Sequence, residues 1–181
     1  MKKFTTKMLC RAGIVAALYV VLTFALGQFS FGTLGFQIRP AEALTILPLF
    51  YTECIPALYV GCLIANLLSP VGPWDIFGGS FISLAAAFCT FIAGKLIKNT
   101  PLKIIIGGLF PVAFNAFGIS AILVYITGTV QASYWFMVLS LAVTQAVWVY
   151  ALGTPLYFGV RSLRERGIAA FCDECKTTPL S

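Results

Sequence analysis

No histidine occurs anywhere in the 181 residues, which removes the commonest general base and the commonest metal ligand. Charge is scarce as well. Only 10% of the residues are charged, against about 25% in a typical soluble domain, while 60% are hydrophobic. That is too little polar surface to cover a water-soluble globule, so most of the exterior is expected to face lipid. Acidic residues are the scarcest charged class, six against twelve basic ones. In a soluble protein the resulting net charge of +6 would raise nucleic acid as a partner; here the basic residues are better used to orient membrane spans, and no nucleic acid is expected. A small-residue cleavage site is also missing. The basic start (Lys2, Lys3, Lys7, Arg11) leads into an apolar run from Ala12 to Leu26 that continues into a glycine and aromatic stretch, so it reads as a retained first span.

A spanning helix needs roughly 20 mostly apolar residues. Six candidates emerge. The first runs from about Leu9 to Phe29, the second from Gln37 to Thr52, the third from Cys54 to Leu68 and the fourth from Ile76 to Ile97. Between Ile104 and Val160 there is no charged residue, and the stretch is far too long for one span. The polar segment Thr127 to Gln131 marks its return and separates spans five and six. Apart from Arg39, every Lys and Arg falls in one of three clusters: Lys2 to Arg11, Lys95 to Lys103, and Arg161 to Lys176. Six spans put all three on one side, which the positive-inside rule makes the cytoplasm. The expected fold is therefore an all-α, six-helix transmembrane bundle over residues 1–166 in the cell membrane, with both termini cytoplasmic and a tail at 167–181.

Polar side chains within such spans are costly unless they face protein or a cavity. Gln28, Gln37, Arg39, Glu42, Asn66, Asp75, Asn115, Thr144 and Gln145 stand out, and most fall in the outer half or the middle of the expected bilayer. A polar cavity open to the outside would produce that asymmetry. Trp74 and Trp148 offer flat walls for a planar ring. Structural roles compete with binding at each position. Arg39 and Glu42, spaced i, i+3, can pair on one helix face. Asp75 follows Pro73-Trp74 and reads as an N-cap. Asn66 and Asn115 can bridge helices. Pro111 is expected to bend span five and free backbone groups near Asn115.

On span one, Ala12 and Ala16, and likewise Gly13 and Ala17, are spaced i, i+4 and form a small-residue stripe suited to close helix approach. It either packs on the chain's own helices or docks a separate membrane subunit. Cys10, Cys54, Cys62 and Cys89 are scattered and read as small apolar side chains. The Cys172-x-x-Cys175 pair in the tail has no second pair to complete a zinc site, so neither a metal nor a cofactor is expected.

Several stretches resemble one known family. Arg39-Pro40-Ala41-Glu42-Ala43-Leu44-Thr45-Ile46-Leu47-Pro48 is similar to the R-x-x-E-A-L-T-x-L-P signature of the queuosine-precursor transporters, often called QueT. The run Ile55 to Leu67, and the segments Asp75 to Ser80, Pro111 to Asn115 and Leu152 to Leu156, resemble it too, so that the likeness covers about residues 8 to 162. The resemblance implies a six-helix substrate-binding subunit of an energy-coupling-factor importer. Such a subunit has no ATPase of its own; a transmembrane coupling subunit and two ATP-binding subunits supply the energy. Ala12 and Ala16 match the small-residue motif by which this class docks its coupling subunit. The implied ligand is a 7-deazaguanine-type base: the nitrile or aminomethyl prequeuosine base, or queuine. Glu42 or Asp75 is expected on its donor edge or amine, Asn66, Asn115 and Gln145 on its remaining polar atoms, and Trp148 or Trp74 against the ring. Three alternatives stay open: the same architecture with another vitamin or nucleobase, a stand-alone secondary transporter using Glu42 or Asp75 as a proton site, and a membrane thiol enzyme using Cys172 and Cys175.

Overall fold

The long uncharged runs fold as helices. In this computed structural model the order is α1 (Thr6–Ala25), a 3-10 helix (Pro40–Leu49), α2 (Cys54–Asn66), α3 (Ser80–Leu96), α4 (Thr100–Ala121), α5 (Tyr134–Ala151) and α6 (Gly153–Glu165). The described residues are 5–25, 39–67, 72–126, 128, 133–168 and 171. Gln28, Gln37, the Gln131 return and the Cys172/Cys175 pair lie outside them. Short π-helical turns extend α3 backward (Asp75–Gly79) and α4 forward (Ile122–Ile126).

Four stretches are long and apolar enough to cross a membrane: Thr6–Ala25, Asp75–Leu96, Thr100–Ile126 and Tyr134–Glu165. The remaining two expected spans are shorter apolar helices, Pro40–Leu49 and Cys54–Asn66. The last long stretch is not one rod. It breaks at Leu152, where α5 ends and α6 begins at Gly153.

The second expected span departs most from a simple α-helical reading. It is a ten-residue 3-10 helix, although such runs rarely exceed three or four residues. Every residue from Pro40 to Leu49 is buried, and the segment packs against α1, α2, α3, α4, α5 and α6. With three residues per turn, side chains line up in ridges at steps of three, and each ridge has its own neighbours. Ala41, Leu44 and Leu47 join a core with Val15 and Tyr19 of α1 and Leu58 and Cys62 of α2. Ile46 and Leu49 join Ile104 of α4 and Tyr157 of α6. The third ridge carries the polar groups, Glu42 and Thr45, with Thr45 Oγ1 donating to the Glu42 carbonyl at 2.6 Å.

Pro111 sits inside α4 and has no N–H, so the Gly107 carbonyl one turn earlier loses its helical donor. Thr90 of α3 replaces it, its Oγ1 donating to Gly107 O at 2.8 Å. The proline expected to free backbone groups therefore frees one that a neighbouring helix satisfies. Thr90→Val is expected to cost about 1–3 kcal/mol by leaving that buried acceptor unmet. Restoring the N–H with Pro111→Ala in the same background should recover part of the loss. Chaotrope unfolding in detergent measures both variants.

The small-residue stripe of α1 is divided by this packing. A Cβ at Gly61 of α2 would stand 3.1 Å from the Ala16 carbonyl and 2.9 Å from Tyr19 Cβ, so glycine is what lets α2 seat on α1 there. Ala12 and Ala16 are half-buried against this core, whereas Gly13 and Ala17 are exposed beside Ile14, Leu18 and Val21.

Candidate functional site

The polar ridge of the 3-10 helix meets polar side chains from other helices. Glu42 is fully buried. Its Oε1 accepts from the Tyr19 hydroxyl of α1 at 2.9 Å, and its Oε2 accepts from Asn115 Nδ2 of α4 at 3.0 Å. A carboxylate offers about four acceptor positions, so these two donors leave about half of its capacity. Arg39, one step of three earlier on the same ridge, is buried as well.

Asp75 does not cap a helix. The helical turn starts at Pro73, so Asp75 falls inside it, buried, at the start of the π turn. Asn66, at the end of α2, donates through Nδ2 to the Asp75 carbonyl at 3.1 Å and to Cys62 Sγ at 3.5 Å. A Cβ at Gly79 would stand 3.0 Å from Asn66 Nδ2 and 3.2 Å from Asp75 Oδ1, so this glycine admits the end of α2 against the π turn. Single π turns of this kind are frequent at functional sites.

Two further buried side chains carry polar atoms with no hydrogen-bond partner among the described residues: Gln145 Oε1 of α5 and Ser120 Oγ of α4, in residues 2% and 0% exposed. Thr144, by contrast, is spent on its own helix, donating to Ser140 O at 2.9 Å. Trp148 is half-buried on α5. Trp74 is 60% exposed, because a helical turn that begins at Pro73 carries it outward, and it is not gathered into the cluster.

The structure brings Glu42, Asn115 and Tyr19 into direct contact and separately joins Asn66 to Asp75. Tyr19 is a contact that a reading of polar residues passes over, because tyrosine looks like an ordinary aromatic in an apolar run. The available signal for Tyr19 is weak: with Val15 and Thr23 it makes the i, i+4 buried stripe of α1.

The side chains gathered here offer hydrogen bonds of both senses. A buried carboxylate with spare lone pairs accepts N–H donors, the Asn and Gln amides both donate and accept, and a guanidinium donates to a carbonyl. Tyr19→Phe should cost about 1 kcal/mol of stability, the usual net value of one hydrogen bond, and leave the bundle folded. Thermal unfolding in detergent tests this.

A family model described as QueT transporter matches residues 9–162. Among curated proteins, the chain is similar to a queuosine precursor transporter QueT from Lactococcus lactis subsp. cremoris (strain MG1363), 39% identical over 79 residues. That match covers 44% of this chain and 47% of the relative, so the chain spans about half the length of that protein. No solved structure matches. With the family model extending from α1 into α6 across every helix of the bundle, this multi-pass membrane chain belongs to the QueT transporter family.

Proposed function

We propose that this chain is the substrate-binding membrane subunit of an ATP-driven energy-coupling-factor importer, and that it captures a 7-deazaguanine-type queuosine precursor from outside the cell. The observation that carries the reading is the environment of Glu42. Its carboxylate is buried in an apolar bundle and held at both oxygens by neutral donors from two other helices. It keeps lone pairs for the ring N–H and amino donors of a guanine-like edge. Arg39, Asn66, Asp75, Asn115 and Gln145 surround the ligand's remaining polar atoms, and Trp148 supplies a ring face. Trp74 is the weakest member of this set.

The membrane arrangement follows from the same residues. The buried 3-10 helix and α2 provide the second and third of six crossings. The three basic clusters then share the cytoplasmic side with both termini, and residues 167–181 form a cytoplasmic tail. The exposed half of the α1 stripe, Gly13 and Ala17, faces the coupling subunit, with Ala12 and Ala16 fixing the helix from behind. Two ATP-binding subunits supply the energy, and the chain itself catalyses nothing.

Calorimetric titration of the full chain in detergent is the direct test. The ligands are queuine and the nitrile and aminomethyl prequeuosine bases, with riboflavin and thiamine as controls. Selective binding of a deazaguanine supports the cargo. No binding by any of them, in protein that still unfolds cooperatively, removes the cargo while leaving the membrane architecture untouched. Uptake that proceeds without the coupling and ATP-binding subunits would instead favour a stand-alone secondary transporter.

A further inference from the structure

Two apolar grooves run along the outer face of the α3–α4 pair. One, of about 290 Å³, is lined by Ile82, Phe114, Phe117 and Gly118. The other, of about 200 Å³, lies nearer the α3–α4 turn and is lined by Cys89, Ile92, Leu96, Ile106 and Phe110. Both are bare of polar groups, as a lipid-facing surface requires. They differ in what stands at their ends. The second groove runs toward the turn that carries Lys95, Lys98 and Lys103.

The placement of these lysines is specific. Lys103, Ile106 and Phe110 follow each other at i, i+3 and i+7, so Lys103 continues the groove-lining stripe of α4 beyond its apolar end. Lys95 directly precedes the groove-lining Leu96, and its Nζ lies 4.4 Å above the ring of Phe91, which packs toward the α1–α2 core outside the groove. Lys98 is exposed in the connection between the helices. Among the described residues none of the three is in an ion pair. The described acids are committed elsewhere: Glu42, Glu53 and Asp75 are buried, and Glu165 holds Arg161 at 2.8 Å.

We propose that the groove ending at Lys95, Lys98 and Lys103 is a binding site for an anionic phospholipid of the surrounding leaflet. An acyl chain lies along Ile92, Leu96, Ile106 and Phe110, and the headgroup phosphate is held by the three lysines. The argument is charge complementarity: an apolar groove runs toward three cations that no acid among the described residues neutralises, and basic pockets between spanning helices on the cytoplasmic side are where anionic headgroups bind. The groove lined by Ile82 and Phe117 has the same apolar character and no cations, so it takes acyl chains without regard to headgroup. The inference rests on the multi-pass membrane reading and is independent of the cargo.

The full chain is reconstituted in phosphatidylcholine vesicles with a trace of phosphatidylglycerol bearing a diazirine in its acyl chain. Light-induced label is then mapped by peptide. The expected result is label on the segment from Cys89 to Phe110 in excess over the Ile82 and Phe114–Gly118 groove. Unlabelled phosphatidylglycerol should compete for it, while phosphatidylcholine and inorganic phosphate should not. The triple Lys→Gln variant at positions 95, 98 and 103 should lower the ratio of label between the two grooves by roughly tenfold. The triple Lys→Arg variant should keep it. Equal labelling of both grooves, equal competition by phosphatidylcholine, or competition by inorganic phosphate would overturn the proposal. The competition arms use the unaltered chain, so they decide the matter even where a variant does not fold.

Discussion

Glu42→Gln is expected to leave the bundle folded and to weaken binding of a 7-deazaguanine base by about 10- to 150-fold, the value of about 1.5–3 kcal/mol for hydrogen bonds to a charged group. The substitution keeps the shape of the side chain and removes its charge. Its carbonyl oxygen can turn to Asn115 Nδ2, and its amide can turn to the Tyr19 hydroxyl, which then accepts instead of donating. The internal bonds survive, while the charge-assisted pair with the ligand's donors does not. Glu42→Ala is a different experiment. It leaves a buried hydroxyl and a buried amide without their acceptor beside the buried Arg39, and should cost about 3–5 kcal/mol of stability. Titration calorimetry and thermal unfolding on the same preparations separate the two outcomes. Unchanged affinity in a folded Glu42→Gln protein would make Glu42 a structural post between α1, the 3-10 helix and α4, and would move the search to Asp75.

What could be read from the sequence was the presence of polar atoms where lipid forbids them. Arg39, Glu42, Asn66, Asp75, Asn115 and Gln145 are all conspicuous in apolar runs, and all six are buried in the structure. The geometry around them was less legible, for physical reasons. Pro40 to Leu49 is buried on all sides, so nearly every position is apolar and no solvent face declares a period. The one available clue is that Arg39, Glu42 and Thr45 recur at steps of three. On an α-helix the third would rotate away from the first two; on a 3-10 helix all three share a ridge. Trp74 was misleading because composition cannot say where a helix begins. With the turn starting at Pro73, Asp75 points inward and Trp74 outward. The small-residue stripe of α1 was legible as a stripe, but its division between Gly61 of α2 on one side and open surface on the other depends on a close approach between distant residues.

Glu53→Ala is expected to destabilise the chain by about 3–5 kcal/mol, although no motif marks Glu53. Its carboxylate meets Arg11 Nη2 at 2.6 Å with its side chain 2% exposed. The Arg11 guanidinium also lies 4.2 Å above the Tyr51 ring, and Arg164 of α6 stands 5.4 Å from that ring. Removing one partner of a buried ion pair strands the other, which accounts for most of the cost. Replacing both, as Arg11→Met with Glu53→Leu, removes the stranded charge and should recover most of the stability. Chaotrope unfolding of the single and double variants tests this, and equal losses in both would show that packing, not the pair, holds this end. The pair also fixes α1 to the buried segment a second time. Arg11 and Tyr19 are about two turns apart on α1, roughly 12 Å, and bind Glu53, past the end of the 3-10 helix, and Glu42, near its start. The double variant is therefore expected to keep its affinity for the base, because the contact that positions Glu42 is untouched. A matching loss of affinity would mean that the two ends of the buried segment are coupled through α1.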